Sequence, residues 1–315
     1  MAIKSREMIR HVITIDGRDY CCYFKGNRGD DRKADILFFN GLFSGASAWA
    51  YQTRIPDLLR DFRLIMFDYP CQGGSFSVRD GMGADDLVDD VVRLAQRLAL
   101  KKPLLVGHSF GGLLAGLVAG HPDTQTSWAS DIQGIVIANG SLRSPLGTDK
   151  LFWEIQRRLA LMGARDESPE QTAEGIKDIF RFFIPIALDD EYLAFIEGFE
   201  ADLLASYAEY NRNPAAVAWL LKVLLENNKN IVSFCQALTR VRCPVRVIAG
   251  AHDKIFPVAF CRELAAVFAN VEFNVVANAG HSVMIEQNKV FNRCLLAFVE
   301  SLYRNECAAE AETAA

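Results

Sequence analysis

Short apolar runs recur along the chain, separated by longer stretches whose apolar residues repeat every three or four positions. The runs predict buried strands and the spaced stretches predict helices. Met8–Ile15 and Asp19–Lys25 alternate across Asp16-Gly17, which predicts an antiparallel hairpin. Further strands are expected at Asp35–Asn40, Arg63–Phe67, Pro103–Val106, Gly134–Ala138, Val245–Ala249 and Val271–Val276. Helical spacing runs through Trp49–Asp61, Ala84–Leu100, the stretch after Ser109, Val258–Phe268 and Ile285–Tyr303. Leu87, Val91, Leu94, Ala95 and Leu98 mark the apolar face of the second of these. Strands alternating with helices predict an α/β fold, a mostly parallel sheet covered on both faces.

One stretch breaks this rhythm. From Ser141 to Val232 the pattern is helical throughout, at Leu151–Met162, Gln171–Ile184, Glu191–Tyr210 and Pro214–Leu225. A single crossover needs far fewer residues, so residues 141–232 are expected to form a helical lid inserted in a core made of 1–140 and 233–304. The end, 305–315, is Ala- and Glu-rich and is expected to be a flexible tail.

Composition narrows the function. The 315 residues are half hydrophobic and carry a net charge of −5. No basic stripe appears, which argues against a nucleic-acid partner. No apolar signal core opens the chain and no run of about 18 apolar residues occurs, so a cytoplasmic protein without a membrane span is expected. The eight cysteines lack C-x-x-C spacing and read as free buried thiols. Scattered histidines predict no metal site, and no cofactor motif appears.

The chemistry concentrates in Gly107-His108-Ser109-Phe110-Gly111, between an apolar strand and a helix. G-x-S-x-G in that setting is a nucleophile elbow, with Ser109 at a strained apex and glycines where side chains would collide. A serine needs a base, and the base needs an orienting carboxylate. His281, in Ala279-Gly280-His281-Ser282, follows the last strand, and Asp253 follows the strand before it. Asn139-Gly140-Ser141 offers no carboxylate after the Gly134–Ala138 strand, which favours Asp253. Asp68 is the weaker acid and is expected to brace loops. His11 and His121 read as surface or cap residues, and His108 as a packing residue facing away from the reacting side. The oxyanion is expected to meet the backbone N–H groups of Phe110 and of Leu42, the latter in Asn40-Gly41-Leu42-Phe43.

These residues resemble the α/β-hydrolase superfamily, from Asp35 to Tyr303. Gly250-x-x-Asp253-x-x-x-Pro257, Gly280-His281 and Asp68-x-Pro70-x-x-Gly73-x-Ser75 add to the likeness, while Cys71 and Asn40 depart from it. Asn40-Gly41, Phe67-Asp68-Tyr69-Pro70 and the long helical segment also resemble the subgroup of rhamnolipid-precursor synthases and their transacylase relatives. That likeness implies a 3-hydroxyacyl chain on acyl carrier protein; CoA is the other carrier such a thioester would use.

An apolar chamber of Phe43, Phe152, Trp153, Phe183, Trp219 and Met284 is expected beside Ser109. It favours an ester or thioester of an apolar acyl group, with hydrolysis through an acyl-enzyme as the first reading. An acyltransferase and a carbon–carbon bond hydrolase stay open on the same scaffold. A ligand-binding protein with a dormant triad is the non-enzymatic alternative.

Overall fold

The computed structural model describes residues 7–70, 72–75, 83–123, 131–143, 149–165, 167–196, 198, 200–225 and 230–313. Eight strands among them form one sheet: β1 (Ile9–Ile15), β2 (Arg18–Gly26), β3 (Ala34–Phe39), β4 (Phe62–Phe67), β5 (Leu104–His108), β6 (Gly134–Ala138), β7 (Val245–Gly250) and β8 (Val271–Val276). Their spatial order is β1-β2-β4-β3-β5-β6-β7-β8. The β1–β2 hairpin and the β2–β4 pairing are antiparallel, and every pairing from β4 to β8 is parallel.

β3, β5 and β6 are buried along their whole lengths, as strands covered on both faces must be. Register aligns their carboxyl ends, pairing Phe39 with Gly107 and His108 with Ala138. Polar residues just past those ends therefore meet in one crevice. The helix Ala84–Arg97 is held to the hairpin by a buried ion pair, Arg18 with Asp90, and by the Tyr20 hydroxyl, which donates to Asp90 at 2.8 Å.

Between β6 and β7 the described chain is helical: Asp149–Gly163, Pro169–Ala187, Asp190–Ile196, Glu200–Tyr210, Pro214–Leu225 and Ile231–Leu238. The first packs on the fifth, and the sixth packs on the elbow helix Phe110–Ala119. Both approaches are close. A Cβ on Gly163 would lie 2.6 Å from the Ala215 Cβ, and one on Gly116 would lie 2.6 Å from Leu238 Cδ2.

Several elements differ from the pattern. Trp49–Asp61 is not one helix but two short 3-10 turns followed by Pro56–Asp61, because Pro56 can open a helix but not sit inside one. Glu191–Tyr210 divides into two helices, and Ile285–Tyr303 into Val283–Glu286 and Asn288–Thr313. The last helix runs through 305–313, where a flexible tail is the expectation. Cys71 lies outside the described residues. Cys21, Cys22, Cys235, Cys243, Cys261 and Cys294 are free thiols, and burial pushes Cys243 up to about 12.

Candidate active site

Ser109 sits at the turn between β5 and the helix Phe110–Ala119 with φ 55° and ψ −125°, a conformation costly for a side-chain-bearing residue. The surrounding glycines make it possible. A Cβ on Gly107 would lie 2.3 Å from the Gly111 carbonyl oxygen, and one on Gly111 would lie 2.3 Å from the Asn40 carbonyl oxygen. The Ser109 N–H donates to the Ala138 carbonyl at 2.8 Å, which ties the turn to β6.

The Ser109 hydroxyl lies 2.9 Å from His281 Nε2, and His281 Nδ1 lies 2.8 Å from Asp253 Oδ2. All three residues are buried. Asp253 is saturated with donors. Its Oδ1 accepts the Ile255 and Phe256 N–H groups at 2.8 and 2.9 Å, and its Oδ2 also accepts the Asn139 amide at 2.6 Å. Asn139 is the residue that sequence reasoning passed over for lacking a carboxylate. Its place past β6 was the signal, and its φ of 49° marks a strained turn there. Asp68 stands apart from this relay. It accepts the Tyr23 and Tyr210 hydroxyls at 2.7 and 2.9 Å and the Gly74 N–H at 2.9 Å. Burial raises its pKa, and these donors pull it back.

The loop after β3 is braced by Asn40. Its amide donates to the Phe67 carbonyl at 2.7 Å and accepts the Trp49 indole N–H at 2.9 Å. Tyr69 donates its hydroxyl to the Asn40 carbonyl at 2.7 Å. Leu42 lines the cavity beside Ser109, and the chain turns at Phe43 with φ 66°. Phe110 opens its helix, so its N–H has no intrahelical acceptor.

His108 corrects the expectation. It does not face away; its ring lines the cavity 4.9 Å from the His281 ring. Its Nε2 lies 2.8 Å from the His281 carbonyl, which can only accept, so the proton sits on Nε2. Burial, with His281 beside it, lowers its pKa from 6.5 to about 3, so the ring is neutral. Nothing along the chain signals this contact, which joins residues 173 apart.

The cavity next to Ser109 measures about 50 Å³. Phe43, Phe152, Phe183 and Met284 line it, joined by Tyr207, Ile255 and Phe256. Trp153 and Trp219 do not. Trp153 is 42% exposed, one residue round its helix from Phe152, and Trp219 is half-buried against the hydrophobic core. The rings interlock, with Phe43 5.3 Å from Phe180 and 5.4 Å from Phe183, and Phe180 stacked on Tyr207 at 4.3 Å. Polar ties pin this roof. Asn211 donates to the Phe43 carbonyl at 3.1 Å and accepts from the Gln72 amide at 3.0 Å.

Comparison with known proteins agrees with this architecture. The family model described as "Alpha/beta hydrolase family" matches residues 36–293. The chain belongs to that family. A Caulobacter sp. (strain K31) protein named as a candidate carbamate hydrolase, RutD, is 26% identical over 288 residues, covering 91% of this chain and 97% of its own. Human monoacylglycerol lipase ABHD6 is 24% identical over 306 residues, covering 91% and 81%. The enol-lactonase from Burkholderia xenovorans LB400 superposes with a TM-score of 0.75 at 20% identity, over 92% of this chain and 100% of that one, a likeness of fold. This α/β hydrolase is therefore an enzyme of the hydrolase class. Among its described residues no helix is long and apolar enough to cross a membrane.

Proposed function

We propose that this hydrolase cleaves an ester or thioester of a small apolar acyl group through an acyl-enzyme on Ser109. One observation carries the reading: a single imidazole, His281, within hydrogen-bonding distance of both the Ser109 hydroxyl and the Asp253 carboxylate. Asp253 holds the proton on Nδ1, which leaves Nε2 free to take the hydroxyl proton. Ser109 Oγ attacks the carbonyl carbon, and the Leu42 and Phe110 N–H groups receive the oxyanion. The imidazolium protonates the departing alkoxide or thiolate. Water then enters, gives its proton to His281 and releases the acid, restoring Ser109.

The names of the relatives, one for carbamates and one for monoacylglycerols, support hydrolysis at a carboxyl-derived carbon. Residues 141–232 serve as a lid, for they supply Phe152, Phe183, Ala187 and Tyr207 to the cavity wall. A cavity of about 50 Å³ has room for a few waters at about 10–15 Å³ each. That space suits an acyl group of about two to four carbons.

A fluorophosphonate probe tests the nucleophile. The wild-type protein is expected to form one adduct, on Ser109, and folded Ser109→Ala to form none and to turn over no ester. Ester hydrolysis by folded Ser109→Ala at the wild-type rate would sink the mechanism. A p-nitrophenyl ester series tests the acyl group, with acetyl or butyryl exceeding decanoyl in kcat/KM by about tenfold or more. A maximum at decanoyl would overturn the size assignment and leave the nucleophile standing.

A further inference from the structure

One carboxylate beside His281 takes no part in the proton relay. Glu286 ends the short helix Val283–Glu286 and is buried. Its Oε2 accepts the Gly280 N–H at 2.9 Å and the Asp189 N–H at 2.7 Å, and its Oε1 accepts the Ser282 N–H at 2.7 Å. Two of these donors bracket His281 in the chain. The third belongs to the segment leaving the helix Pro169–Ala187. A second tie runs the other way, for the His281 N–H donates to the Ala187 carbonyl at 2.8 Å. Gly280 lets the two segments meet: a Cβ there would lie 2.7 Å from the Asp189 nitrogen and 2.9 Å from the Leu188 carbonyl carbon.

A buried carboxylate is costly unless donors meet it. Here burial raises the Glu286 pKa, while the three amide donors and the charge of His281 pull it down. The last effect is reciprocal: a carboxylate that an imidazolium stabilises also stabilises that imidazolium. Three further groups face this corner. Asp253 holds His281 Nδ1, the His108 ring packs against the imidazole, and Asp189 of the docked segment pairs with His252 Nδ1 at 2.5 Å.

We propose that Glu286 is a positioning residue for His281. It seats the base loop on residues 187–189 and lends its charge to the imidazolium that forms when Ser109 gives up its proton. Docking of the helical segment and readiness of the base are thereby one event. The proposal rests on reading Ser109 and His281 as nucleophile and base.

The test compares full-length wild type, Glu286→Gln and Glu286→Asp. Each is followed by fluorophosphonate labelling of Ser109 and by kcat and KM for a short p-nitrophenyl ester, across the range in which histidine titrates. The Gln variant turns an amide toward amide donors and removes the charge. Its kcat is expected to fall about 10- to 100-fold with KM little changed. The acid limb of its pH profile is expected to move to lower pH, since the imidazolium loses a counter-charge. The Asp variant keeps the charge but withdraws it from its donors, so kcat falls while the limb moves less. A folded Gln variant labelled as fast as wild type overturns the proposal, and so does one whose kcat falls with the limb unmoved. If the Gln variant does not fold, wild-type kcat in the Asp variant overturns it, and a lowered kcat at unchanged KM supports it. Absence of a Ser109 adduct in wild type strikes the hydrolase reading instead, so the two failures are distinct.

Discussion

The two halves of the site hold their side chains by different forces. On the sheet side, hydrogen bonds at the strand ends fix each polar group: Asn139 on Asp253, Asp253 on His281, and Asn40 on the loop after β3. On the roof, aromatic rings from the helical segment fix one another by packing, and a few polar ties such as Asn211 to Phe43 anchor them. Directional bonds hold atoms in place for proton transfer, where small displacements are costly. Packed rings define a volume, which tolerates substitution at the expense of selectivity. On the function proposed above, proton transfer is held mainly by the sheet side, to which the helical segment adds its tie through residues 187–189, and acyl choice by the roof.

The largest break in that division should come from Asp253→Asn. An amide there would set a donor against the Asn139 amide and the His281 Nδ1–H. Steady-state kinetics should show kcat lowered by about 10³- to 10⁴-fold, with the ester-length preference unchanged. A change in length preference would mean that the two halves are not separate.

Phe183→Ala should do the reverse. Phe183 is buried against Phe43, Phe152 and Phe180. Its loss should lower stability by about 3 kcal/mol in denaturant unfolding. The kcat/KM maximum should move to longer esters, while fluorophosphonate labelling of Ser109 continues. Labelling reduced as strongly as in Asp253→Asn would refute a roof concerned with fit alone.

His108 packs against His281 on the sheet side, and near neutral pH its effect should be the smallest. Its folded pKa is depressed to about 3 from 6.5. Between those values the unfolded chain binds a proton that the folded one does not, so stability falls as pH drops from 6.5 toward 3. The slope from this residue is on the order of 1 kcal/mol per pH unit. His108→Gln, which cannot titrate, should show a shallower loss in unfolding measured across that window. An identical slope would show that His108 is not held neutral by its burial.

Much of the sheet side was legible along the chain. Gly107 to Gly111 announce the elbow because its strain demands glycine at those positions, and Asp253 and His281 follow strands whose apolar runs are plain. Asn139 and Glu286 were harder to read. Each is a polar residue in an apolar setting; the Asp253 partner of Asn139 lies 114 residues away, and the Asp189 donor to Glu286 lies 97 residues away. The roof was least legible. Helical spacing shows that Phe152 and Trp153 lie in a helix, yet only packing against Phe183 of the helix Pro169–Ala187 shows that Phe152 faces inward while Trp153 is exposed.

Local backbone chemistry, glycine against side chain and apolar run against spaced stripe, determined from sequence alone that an α/β sheet would present a serine on a sharp turn. The identity of the groups that brace His281, and the size of the space beside Ser109, were decided only when distant segments packed. Side-chain hydrogen bonds and ring contacts depend on distances between elements, and a chain's order does not encode those distances until it folds.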